Sequence, residues 1–130
     1  MIQQKIAFDA PADMVYGALT ESDKFAEFTG AYADISPEEG GPFTCSGPRV
    51  IGRNLELVPN RRIVQAWRVF NWPEGVYSIV RFDLEEKEGR TWLTLEQTGV
   101  PEELVPHVDG GWGEKYWGPL AHYLKGKSPL

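Results

Sequence analysis

Cysteine is nearly absent from this 130-residue chain. Cys45 stands alone, so no internal disulfide can form, and a reducing compartment is the expected setting. Imidazole is as scarce. His107 and His122 are the whole supply, and neither has metal-ligand spacing to Cys45, so no metal and no cofactor are expected. No apolar run approaches the roughly 20 residues that span a bilayer, and no apolar signal segment follows Met1, which excludes a membrane span and makes the cytoplasm the expected location. Basic charge is also short. Lys and Arg number 13 against 19 Asp and Glu, for a net charge of -6, and Arg61-Arg62 is the one adjacent basic pair. Nucleic-acid affinity rests on neutralising phosphates, so no nucleic acid is expected as a partner.

Catalytic patterns are missing as well. The carboxylate pairs Glu38-Glu39, Glu85-Glu86 and Glu102-Glu103 lie in turns or loops beside Gly or Pro, where solvated charge is the expected role, and no nucleophile-His-acid order stands out. Gly126-Lys127-Ser128 mimics the end of a phosphate-binding loop, but Ala121 occupies the place of the first Gly and the triplet follows a helix instead of opening one. No catalytic residue is assigned.

What is present suffices for one globular domain over residues 1–130. Leu, Ile, Val and Phe make up about a quarter of the chain, above the roughly one-fifth that marks disorder. Gly and Pro, at 14 and 10 residues, punctuate many turns and favour short strands over a bundle. Ile2, Ile6 and Phe8 predict a first strand. ADMVYGAL and SDKFAEF follow as two short helices, with Ser22 the expected N-cap of the second. From Ala33 the pattern is strand and turn repeated: ADIS, PFTCS, VIGRNLELV, RIVQAWRVF, VYSIVRFDL and RTWLTLEQT. This predicts an antiparallel sheet of six to seven strands with the N-terminal strand as the additional member.

Alternation assigns the faces. Val76, Ser78, Val80, Phe82 and Leu84 share one face of their strand, and Leu93, Leu95 and Gln97 share one face of the next, leaving Tyr77, Ile79, Trp92, Thr94 and Glu96 outside. Tyr77 and Trp92, with Trp72 in its loop, are the exposed-aromatic candidates. GVPEELVPHVDG reads as a Pro-rich link, and after Asp109 the period becomes helical. Trp112, Tyr116, Leu120 and Tyr123 form one stripe, and Trp117, Leu120, Ala121 and Leu124 an overlapping one. Pro119 predicts a kink or break near Gly118.

Six segments in order resemble a known family. GGPF at 40–43, LVPNRRIVQAWR at 57–68, NWPEG at 71–75, Thr-x-Leu-x-Leu at 91–95, GVP at 99–101, and Gly-Trp at 111 followed by Tyr-Trp at 116 are similar to the C-terminal domain of the activator of heat shock protein 90 ATPase. That domain is of the START-like, or helix-grip, superfamily, and the resemblance runs from Ile2 to about Lys125. It implies an α+β fold in which a curved antiparallel sheet wraps a long C-terminal helix, with two small helices after the first strand. It also implies two functions. Superfamily members hold apolar ligands between sheet and helix, and the eukaryotic activator is a co-chaperone, though it carries a separate N-terminal domain for which this chain has no room.

A helix lying on the sheet brings Gln65, Trp67, Val69, Ser78, Val80, Phe82, Leu93, Leu95, Gln97, Trp112, Tyr116 and Leu120 around one space. Filled, that space is core; unfilled, it is a ligand cavity in which Gln65, Ser78 and Gln97 supply the polar groups. Alternation cannot measure volume, so both stand. The expectation that leads is a non-enzymatic protein binding a small apolar molecule there. The alternative is a module that binds or stimulates a heat shock protein 90 chaperone. A cavity enzyme comes third, since Gln65, Gln97 and Arg53 are poor acids and bases.

Overall fold

The computed structural model describes residues 1–127, so Ser128 of the phosphate-loop mimic lies outside the described residues. Strand β1 (Ile2–Phe8) leads through helices α1 (Ala12–Thr20) and α2 (Ser22–Thr29) into β2 (Asp34–Ile35), β3 (Pro42–Cys45), β4 (Val50–Val58), β5 (Arg62–Val69), β6 (Ser78–Lys87) and β7 (Arg90–Thr98). The seven strands form one antiparallel sheet in the order β1-β7-β6-β5-β4-β3-β2. Consecutive strands from β2 onward are hairpin neighbours. The first strand joins beside the last, with Ile2 opposite Gln97 and Phe8 opposite Thr91.

The alternation read from the sequence sets the inner face. Ser78, Val80, Phe82 and Leu84 are buried along β6, and Leu93, Leu95 and Gln97 along β7, while Ile79 and Trp92 face out. The register lines these up in rows, Leu95 beside Phe82 beside Ile63, and Gln97 beside Val80 beside Gln65 beside Asn54. At Gly52 the strands β4 and β5 approach so closely that a Cβ would collide with the Ala66 carbonyl and the Phe43 ring. Only glycine fits there.

Four local expectations are corrected. Ser22 is the first residue of α2 and not its cap; its hydroxyl instead accepts the Ile35 N–H at 2.8 Å, tying the helix to β2. The Pro-rich link is helical. A single 3-10 turn (Glu102–Leu104) runs into α3 (Val105–Gly111), because Pro106 lies in the first turn, where a missing N–H leaves no intrahelical bond unmade. Pro119 does not break the chain's helical course. The backbone widens first into a π-helical turn (Trp112–Trp117), with the Gly118 N–H bonding the Gly113 carbonyl, and then continues as α4 (Gly118–Lys127). Ala121, placed on the inner stripe, is exposed, and Tyr123 is half-buried.

The π turn has a packing consequence. Residues five apart fall well off one another's side in an α-helix, and the wider turn brings them toward one face. Trp112 and Trp117 thereby stack, ring centroids 5.6 Å apart and 16° from parallel. Trp112, Tyr116, Trp117, Leu120 and Leu124 from the two stripes are therefore buried together.

Candidate functional site

Gripping helix and sheet are joined by two glutamines. The Trp112 indole N–H donates to Gln97 Oε1 at 2.8 Å, Gln97 Nε2 donates to Ser78 Oγ at 3.0 Å, and the Ser78 hydroxyl donates to the Trp67 carbonyl at 2.8 Å. On the neighbouring strand, Gln4 Oε1 accepts the Trp117 indole N–H at 2.7 Å while its amide nitrogen donates to Asp109. Gln65 Nε2 bonds the Asn54 carbonyl oxygen at 3.0 Å, leaving the Asn54 amide nitrogen as the orphan of that pair. Gln65, Ser78 and Gln97 thus satisfy one another or their neighbours. Buried polar groups need such partners, and for these three side chains the protein supplies them.

Around this relay the interior is full. Val80, Leu93, Leu95 and Leu120 have no exposed surface and Phe82 has 2%. Phe82 meets Trp112 and Trp117 edge-on, and Tyr116 meets Phe25 and Phe28 of α2 at 5.6 and 6.3 Å. A residual void bordered by Gln65, Trp67, Phe82 and Tyr116 is about 10 Å³. That is no more than the roughly 10–15 Å³ one water requires. Cys45 lies on this void too, its sulfur 3.8 Å from the Tyr116 hydroxyl. Burial pushes the thiol up to about 12 and the phenol well above its ordinary range, so both stay protonated.

The open space lies farther along. A cleft of about 350 Å³ separates the start of β4 and the end of β5 from α3 and the start of the π turn. Trp67, Val69, Trp112 and Tyr116 of the predicted set line it; Gln65, Ser78, Val80, Phe82, Leu93, Leu95, Gln97 and Leu120 do not. Its other walls are Val50, Phe70, Trp72, Leu104, Val108 and Gly111, with Arg49, His107 and Lys115 among the polar residues along it. Sequence reasoning missed the α3 wall because two prolines read as a link. The four-residue spacing Leu104, Val108, Trp112 was the signal that extends the stripe backward.

Trp72, expected among the exposed aromatics, is 4% exposed and packs against Trp67 at 5.7 Å. Arg68 explains why. Its guanidinium, on a side chain that alternation points outward, is buried and donates to the carbonyls of Phe70, Trp72, Pro73 and Val76, while lying 5.5 Å over the Tyr77 ring. One arginine thus shapes the whole β5–β6 loop. Tyr77 and Trp92 are exposed as expected, at opposite ends of the sheet's outer face.

Comparison with known proteins agrees with this geometry. The family model described as "Activator of Hsp90 ATPase homolog 1-like protein" matches residues 9–125. The activator of 90 kDa heat shock protein ATPase homolog 2 of Mus musculus is 34% identical over 118 residues, 91% of this chain and 36% of that protein. Homolog 1 of Homo sapiens is 30% identical over 116 residues, 89% of this chain and 34% of that one. This chain therefore spans about a third of the length of those relatives. Among solved structures, an HSP90 activator from Plasmodium falciparum superposes with TM-score 0.88 at 20% identity, covering 96% of this chain and 97% of its own. CalU16 from Micromonospora echinospora gives 0.80 at 26% identity, covering 94% and 74%.

Proposed function

The chain belongs to the activator of Hsp90 ATPase homolog 1-like family, and from that premise we propose that it docks on an Hsp90-class chaperone and raises its ATPase rate. The observation that carries this reading is the reach of the family match, residues 9–125, which takes in both helices after β1, all but the first strand, and the gripping helix. The relatives' names assign the activity to proteins about three times as long, so the proposal is that this third retains a share of it. The packed centre of the domain fits the role. A rigid body can present a fixed surface with little ordering cost on binding.

The test is the steady-state ATPase rate of the host's own Hsp90 with and without the purified chain. A saturable rise with added chain supports the reading. An unchanged rate, together with no binding in a calorimetric titration, refutes it.

A second reading is favoured by the cleft. Its volume of about 350 Å³ falls within the roughly 300–1,000 Å³ of small-molecule sites, and Trp67, Phe70, Trp72, Trp112 and Tyr116 supply aromatic surface to its wall. On this reading the chain holds a small, mainly apolar molecule at the Val50 and Val69 ends of β4 and β5, away from the filled space between Phe82 and Leu120.

A further inference from the structure

We propose that the cleft is a site for amphipathic anions, molecules with an aromatic body and a single carboxylate or sulfonate. The proposal rests on the ligand reading above and adds a charge to it. The aromatic body is specified by the wall, where Trp67, Trp72 and Trp112 come together with Val108 beneath the exposed Phe70. Rings pack on rings with a preference that aliphatic chains lack.

The acid is specified by the rim. In a chain of net charge -6, the cleft is lined by Arg49, Lys115 and His107 and by no aspartate or glutamate. Arg62, Arg81, Arg90 and Lys24 each hold a carboxylate, whereas Arg49 and Lys115 make no ion pair among the described residues. Both are exposed, so a headgroup bound there stays in water while the body enters the apolar space. A buried acid would cost far more.

Two probes with one skeleton separate the parts of this argument. 8-Anilinonaphthalene-1-sulfonate and N-phenyl-1-naphthylamine differ by the sulfonate, and both brighten in apolar surroundings. Titrated into the intact chain at low salt, the sulfonate is expected to bind about three- to tenfold more tightly, the size of effect two exposed ion pairs supply. Raised salt should shrink that ratio. Replacing both Arg49→Gln and Lys115→Gln should bring the two probes to parity and leave the neutral amine's affinity unchanged. Gly111→Leu tests the location. A Cβ at Gly111 meets nothing within 4 Å, and alanine-like residues suit a helix better than glycine, so the variant should stay folded while blocking both probes.

Equal affinity for the two probes, or an advantage that survives the double substitution, overturns the anion assignment and leaves the ligand reading standing. Failure of both probes to bind, or binding indifferent to Gly111→Leu, overturns the cleft as a ligand site and the anion assignment with it.

Discussion

The two ends of the space between sheet and gripping helix are built from the same residue types and came out differently. At one end Phe25, Phe43, Phe82 and Tyr116 border about 10 Å³; at the other, Trp67, Trp72, Val108 and Trp112 border about 350 Å³. The filled end has a second layer. Helix α2 brings Phe25 and Phe28 against Tyr116, and β1 brings Phe8 against Trp117. At the open end the β5–β6 loop is held by its own carbonyls to Arg68, so its backbone is fixed and Phe70 stays 59% exposed. Aromatic composition thus makes a wall, and what lies behind the wall decides whether it is core or cleft.

Trp112 belongs to both ends, and its removal should have the largest effect. Trp112→Ala should cost about 3–5 kcal/mol, as truncation of a buried tryptophan does, and also strand Gln97 Oε1 without its donor. Urea unfolding with an unchanged slope would measure it. A loss under about 1 kcal/mol would mean that the relay and the stack do not hold the helix.

Arg68→Met should act on the open end alone. It removes four charge-assisted contacts to carbonyls, each partner then needing water, at a cost of about 1.5–3 kcal/mol. Amide hydrogen exchange should rise at Phe70, Trp72 and Val76, with β7 unaffected. A rise in β7 as large as in the loop would erase the distinction between the ends.

Cys45 reports on the filled end and should change least. At pH 8 an aromatic disulfide reagent should react with it only through unfolding, because the thiol is buried and its pKa raised to about 12. A thiol held protonated by the fold contributes fully below its ordinary value of 9.0, and that contribution is lost as pH rises toward 12. Stability should therefore be flat in this group through neutral pH and fall on the alkaline side. Fast labelling of the native protein would show the void to be breached.

Much of this was legible in the residues. Strand parity put Ser78, Gln97 and Leu95 inward because side chains alternate with a period of two whatever the partner strand does. The helical stripe put Trp112, Tyr116 and Leu120 on one face for the same kind of reason. Gln4 was legible too, since it sits between Ile2 and Ile6 on the inward parity of β1, and it was missed.

The sequence by itself determined which residues share a face of their own strand, because the period of two is local and survives any tertiary arrangement. Whether those faces touch was decided only in three dimensions. Volume depends on how far apart the elements settle and on which rotamers fill the gap, and neither leaves a periodic trace. Gln65, Ser78 and Gln97 looked like groups awaiting a ligand until their partners were in place. Trp72 broke its expected exposure because its loop folded back on a strand, where Arg68 holds the loop carbonyls. The π turn over Trp112–Trp117, which stacks Trp112 on Trp117, has no periodic signal in the sequence, because a single widened turn leaves no repeat to read.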